Sequence, residues 1–359
     1  MKMMKAAVFE GIENIVVKDV PVPVCEDDGI LVKVEACGIC GGDVRNYHNG
    51  LKDGIRSQIM GHEIGGVVVE AGSKVTRFIA GDVVSTAPDV SCGQCFYCKR
   101  GLVNLCMSHK MLGTHWPGGF AQYVYLPAVV LNRGFVEPVP EGMSFEHAAF
   151  AEKASAVIAC QELNNVNLGD TVVIIGDGPV GCLHVEIAKA RGASNIIVVG
   201  LDKLEFVEQF KPDYIFSNSD PQKVMDEVMK ITNGIGADIV ICAVPTIRPQ
   251  QQALEMTRKR GKMIIYGGVP KNNKMTSLDS NLIHYNEISV IGAFSYPATG
   301  IEKALKFIHE GRISVDKYIT KRVTLDGVVE GIKAIEKGEA LNVMVKPNTY
   351  VGVESKCMK

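Results

Sequence analysis

What the chain lacks narrows its class first. No apolar run approaches the roughly 18 to 20 residues of a membrane-spanning helix. The start, MKMMKAAVFEG, carries no hydrophobic h-region and no cleavage site of a secretory signal. These two absences predict a cytoplasmic protein without a membrane partner. Charge of one sign is also scarce: 38 Lys and Arg stand against 40 Asp and Glu, a formal net charge of −2. Such a balance offers no general attraction to phosphate backbones, so nucleic acid is not an expected partner. Internal repeats, low-complexity stretches and charged tails are absent as well.

What is present is ordinary globular composition, 47% hydrophobic and 22% charged over 359 residues, enough for about two domains. The first 150 residues hold short β-branched runs broken by Gly, Pro and Asp, among them NIVVKDV, ILVKVEA, GGVVVEA and AQYVYLP. They predict a β-rich, irregular domain. From about residue 147 the texture changes to alternating strand and helix patterns, from TVVIIG through NIIVVG, DYIFS and DIVICAV to KMIIYGG, which predict a doubly wound parallel sheet covered by helices. The C-terminal segments then return to the first domain. The expected division is residues 1–147 and 296–359 for the β-rich domain and 148–295 for the α/β domain.

In IIGDGPVG, the glycines Gly176, Gly178 and Gly181 follow an apolar strand and precede a helix beginning at Pro179 and Val180. A strand, a tight turn and a helix N-terminus together present backbone N–H groups to a dinucleotide pyrophosphate. About twenty residues on, the acid that usually holds the adenosine ribose is replaced by Gly200. That gap favours NADP, with Lys203 available to pair with a 2′-phosphate. Asp202 reaching the ribose instead would keep NAD open.

Eleven cysteines in a chain without a secretion signal point to metal rather than disulfides. Cys92, Cys95, Cys98 and Cys106, spaced C-x2-C-x2-C-x7-C, suit a closed tetrahedral zinc site in a lobe spanning about residues 90–108. An iron–sulfur cluster and a zinc-ribbon nucleic-acid reader are the competing readings; the second would need more basic residues than Lys99 and Arg100. Cys37 and Cys40 form a C-x-x-C pair, but a redox pair should open a helix in a βαβ unit, and this one follows a strand. Cys25, Cys160, Cys182, Cys242 and Cys357 have no partner spacing and read as inert thiols.

MKAAVFEG, GICGGD, GHE at Gly61–Glu63, the four-cysteine lobe, GGFAQYV, AAFAEKASAV, GDGPVG and NVMVKP together resemble the zinc-containing medium-chain alcohol and polyol dehydrogenases, in particular the sorbitol and threonine dehydrogenase branch. The resemblance covers nearly the whole chain. It implies a GroES-like catalytic domain joined to a Rossmann domain, two zinc ions per chain, and hydride transfer between a secondary alcohol and NAD or NADP. It further implies a homodimer or homotetramer. By the same resemblance, Cys40, His62, Glu63 and Glu152 are the catalytic zinc ligands, and Asp43 accepts the second N–H of His62. Where the family places a proton-relaying Ser or Thr and a His, this chain has Gly42 and Arg45. Lys153 replaces the usual proline after Glu152, and Ser295 replaces an arginine before Tyr296. Glu152, Glu63, a water at Gly42, Tyr47 and His48 are the candidates to carry the proton. Arg45 and Lys153 suggest a polyol or sugar substrate that is cyclic or phosphorylated, with Lys153 tuning Glu152 or binding an anionic group. A simple alcohol dehydrogenase, and a catalytically altered member that only binds zinc and nucleotide, are the alternatives.

Overall fold

A computed structural model describes residues 2–270, 273–297 and 299–349. Two compact units are formed, one from Met1–Lys153 with Pro297–Lys359 and the other from Ala154–Tyr296. The division falls inside the helix Phe145–Leu163, after Lys153.

In the first unit a mixed sheet runs in the order Phe135–Pro138, Val83–Ala87, Glu63–Ala71, Ile30–Ile39, Asn342–Val345, Ile319–Val323. Tyr123–Leu126 also pairs with Ile30–Ile39. The last two strands come from the C-terminal segment, so the chain returns to this sheet after building the second unit. Burial of Ile30, Val32, Val34, Ile64, Val68 and Val84 on this sheet, with Phe120 and Ile332, makes a single core. Removing such side chains from water contributes about 25 cal/mol per Å² of apolar surface.

Immediately after the strand Ile30–Ile39 comes a helix, Gly41–Asn49, that the Gly-Gly start conceals in the sequence. Cys40 caps it: the Cys40 thiol accepts from Gly42 N–H, while the Asp43 carboxylate accepts from the Cys40 N–H at 3.0 Å. This is a capping box with cysteine in the role usual for Ser or Thr. The Cys37–Cys40 pair thus follows a strand, as expected from the sequence, and its second cysteine caps a helix outside any βαβ unit. Neither cysteine is in a disulfide, and Cys37 is fully buried with its thiol pushed well up by that burial and by Asp43 and Glu63.

The second unit carries a six-stranded, all-parallel sheet ordered Tyr214–Ser217, Asn195–Gly200, Thr171–Ile175, Ala237–Cys242, Thr257–Ile265, Ser289–Gly292. Numbered along the chain this is 3-2-1-4-5-6, the order of the dinucleotide-binding fold. The central strands are buried on both faces, which explains their continuous Val and Ile runs. The edge strand Ser289–Gly292 escapes sequence reading because it is short and mostly exposed.

Candidate metal centre and dinucleotide turn

Two elements of the first unit bring these candidate zinc ligands together. Cys40 sits at the helix cap, and His62 stands just before Glu63, the first residue of the strand Glu63–Ala71. Gly61 before them has φ +85°, and a Cβ there would lie 2.5 Å from the Phe120 ring, so glycine is needed for the turn that delivers His62. Ligand atoms of Cys40, His62 and Glu63 all lie within 4.8 Å of one another, and Cys40 Sγ is 3.2 Å from His62 Nε2. Sulfur and nitrogen at zinc bond lengths and a tetrahedral angle stand roughly 3.5 Å apart, so the pair fits a zinc ion. Glu63 is fully buried, and its Oε1 accepts no hydrogen bond but faces the Lys153 ammonium at 3.2 Å. A buried carboxylate of that kind needs positive charge beside it.

Charge relations in the centre agree. Burial alone would push the His62 imidazole down, yet Cys40, Asp43 and Glu152 outweigh it and hold its pKa well above the ordinary value. Burial and Asp43 raise the Cys40 thiol, against a smaller lowering by His62. Asp43 Oδ1 lies 3.8 Å from His62 Nδ1. That is an ion-pair approach, longer than the hydrogen bond expected from the sequence. Glu152 is half-buried and acts on His62 through its charge, but it stands outside the tight three-residue cluster.

Lys153 is turned inward. Its Nζ lies 3.2 Å from Glu63 Oε1 and 3.3 Å from Oε2, with the lysine side chain 11% exposed. Its charge is therefore engaged by Glu63 first, and by Cys40 and Glu152 after it. Arg45 is exposed on the helix; a Cβ on Gly42 would lie 3.1 Å from Cys40 Sγ, 3.7 Å from the His62 ring and 4.0 Å from Arg45 Nη2. Two proton-carrying candidates are committed elsewhere. Tyr47 Oη donates to the Glu13 carbonyl at 3.0 Å, and His48 Nδ1 pairs with the Glu13 carboxylate at 2.7 Å.

The four lobe cysteines form a second cluster, with Cys95 Sγ 3.5 Å and Cys92 Sγ 3.9 Å from Cys98 Sγ. Sulfurs sharing one tetrahedral zinc stand roughly 3.8 Å apart. Backbone N–H groups of Cys98 and Met107 bring the Cys95 thiol down to about 6, toward the thiolate that binds metal. Burial pushes Cys160 and Cys182 up to about 12 and Cys242 to about 11, and within the lobe it raises Cys106 to about 11 as well. Cys25 is likewise raised by burial, and Cys357 lies outside the described residues.

In the second unit, Gly178 caps the helix Pro179–Arg191, with Pro179 and Val180 in its first turn. A Cβ on Gly181 would stand 1.9 Å from the Gly176 carbonyl oxygen, so only glycine lets the helix start this close to the strand. The gap expected at Gly200 is not open. Asp177, a motif residue to which the sequence gives no role, has its side chain there: a Cβ on Gly200 would meet Asp177 Cβ at 2.5 Å. Asp202 is exposed, and its backbone N–H and that of Lys203 both donate to Asp177.

Comparison with known proteins places these features in one frame. Residues 26–140 match the alcohol dehydrogenase GroES-like domain, and residues 179–310 match the zinc-binding dehydrogenase domain. The chain is 35% identical to a sorbitol dehydrogenase of Bacillus subtilis, covering 96% of this chain and 98% of that one. It is 33% identical to a D-arabitol-phosphate dehydrogenase of Enterococcus avium, over 94% and 95%. A zinc-binding dehydrogenase of Sinorhizobium meliloti 1021, solved bound to NADP, superposes with a TM-score of 0.90 at 30% identity, over 97% and 100% of the two chains.

Proposed function

Because the chain belongs to the zinc-containing medium-chain alcohol and polyol dehydrogenases and is thus an oxidoreductase, we propose that it interconverts a secondary alcohol of a polyol or sugar-derived substrate and the corresponding ketone. The convergence of Cys40, His62 and Glu63 carries this reading. Zinc supplies Lewis acidity toward an alcohol oxygen, and a nicotinamide dinucleotide supplies the hydride acceptor. Cys40, His62 and Glu63 would hold that zinc, with Glu152 close enough in charge to exchange into the set. Cys92, Cys95, Cys98 and Cys106 would hold a second, structural ion.

Each remaining residue has its own task. Asp43 orients His62 and fixes the helix cap that presents Cys40. Lys153 balances the charge of Glu63. Glycine at position 42 has no side chain to pass a proton, Tyr47 and His48 are occupied by Glu13 and Glu63 by Lys153, which leaves Glu152, or a water at Gly42, to take the substrate proton. Arg45, exposed near Gly42, meets a polar or anionic substituent such as a phosphate. The cofactor is NAD or NADP; with Asp177 filling the space at Gly200, the ground that favoured NADP falls away. The working form is a homodimer or homotetramer in the cytoplasm, a reading supported by family resemblance.

An activity screen of polyols, polyol phosphates and simple primary alcohols, run with both NAD and NADP, tests the function. Turnover of polyols or their phosphates supports it. A preference for primary alcohols over all of them overturns it.

A further inference from the structure

Three successive backbone N–H groups, those of Leu201, Asp202 and Lys203, donate to one atom, Asp177 Oδ2, at 2.7, 2.8 and 2.9 Å. Successive amides that converge in this way make an anion cradle. Here the anion is supplied by the chain itself, from the first variable position of the glycine turn. The cradle follows directly on the strand Asn195–Gly200, at the place where this fold recognises the adenosine ribose.

Asp177 and Gly200 are complementary. An ideal Cβ at residue 200 would fall 2.5 Å from Asp177 Cβ and 2.6 Å from both Cγ and Oδ2. A side chain at 200 and this pose of Asp177 exclude each other. The acid that the fold ordinarily mounts on the strand end is therefore delivered from across the turn, 24 residues upstream of Leu201. Among the described residues Oδ1 takes no hydrogen bond, so it can accept one from a ribose hydroxyl while Oδ2 stays anchored.

The geometry points to Asp177 as the residue that selects the dinucleotide, accepting the ribose 2′-hydroxyl of NAD(H) and excluding the 2′-phosphate of NADP(H). A 2′-phosphate would compete with Oδ2 for the same three amides and would face a fixed negative charge. This inference rests on the reading that the glycine turn binds a nicotinamide dinucleotide.

Equilibrium fluorescence titration of the purified zinc-loaded protein with NADH and with NADPH tests it, independently of turnover. The wild-type chain should bind NADH at least tenfold more tightly than NADPH. Asp177→Ser frees the cradle and removes the charge, so NADPH should tighten by tenfold or more while NADH weakens several-fold. Asp177→Asn keeps the size and an accepting oxygen; it should gain NADPH affinity several-fold with its circular dichroism unchanged, and it decides the question if the serine variant does not fold. A wild-type preference for NADPH, or a ratio unmoved in a folded Asp177 variant, overturns the inference alone. Failure of the wild-type chain to bind either dinucleotide overturns the reading of the glycine turn and the inference with it.

Discussion

The ammonium of Lys153 sits within 3.3 Å of both carboxylate oxygens of Glu63, and the carboxylate is fully buried. A buried charge pair contributes little net stability, but removing one partner leaves the other uncompensated. Lys153→Met should therefore destabilise the metal-free protein by about 3 kcal/mol. Zinc at the same centre would replace the missing positive charge. Chemical denaturation with and without zinc checks this: the penalty should shrink when metal is bound, and an equal penalty in both states would show that Lys153 serves packing only.

The protonation states of Cys40 and His62 set a pH dependence. Burial and Asp43 raise the thiol, while Cys40 and Asp43, against burial, raise the imidazole well above its ordinary value. Near neutral pH the metal-free pair thus holds at least one proton that zinc must displace. Each displaced proton gives about a tenfold gain in affinity per pH unit, so affinity should rise with pH by between one and two factors of ten per unit. Competition with a chromophoric chelator at several pH values, with the lobe site kept loaded, measures the slope. A flat profile would mean that the ligands are already deprotonated.

Lobe integrity depends on four sulfurs acting together. Cys95→Ser removes the ligand whose pKa falls to about 6. Zinc per chain should drop by one, and the thermal midpoint should fall, because a structural ion contributes directly to folding. Unchanged metal content would remove the lobe from the account.

At the glycine turn, Gly181→Ala would force a methyl group 1.9 Å from the Gly176 carbonyl oxygen. The helix must then shift from the strand, at a cost of about 1 to 3 kcal/mol. Dinucleotide affinity should fall at least tenfold in calorimetric titration, while the zinc content of the lobe stays unchanged. Retained affinity would show that the turn tolerates the wider approach.

Local spacing made much of this legible in the sequence. The lobe cysteines, the GHE triplet and the glycine turn each lie within a short stretch, and short β-branched runs marked most strands of both units. Relationships between distant residues were hidden. Lys153 and Glu63 are 90 residues apart, so a lysine that reads as a partner of its neighbour Glu152 or of an anionic substrate group turns out to be committed to Glu63. Asp177 looked like spacer between two glycines, and only the fold brings it against the amides of Leu201 to Lys203. The helix Gly41–Asn49 was masked by its two glycines and by a cysteine cap, neither of which signals a helix start as Ser or Asp would.

The central claim is that Cys40, His62 and Glu63 form a zinc centre separate from the four-cysteine lobe. Its most direct test is the zinc content of the purified wild-type chain beside that of His62→Ala. About two zinc per chain falling to about one, with the variant still folded, is the result predicted here. About one zinc in both proteins would contradict it.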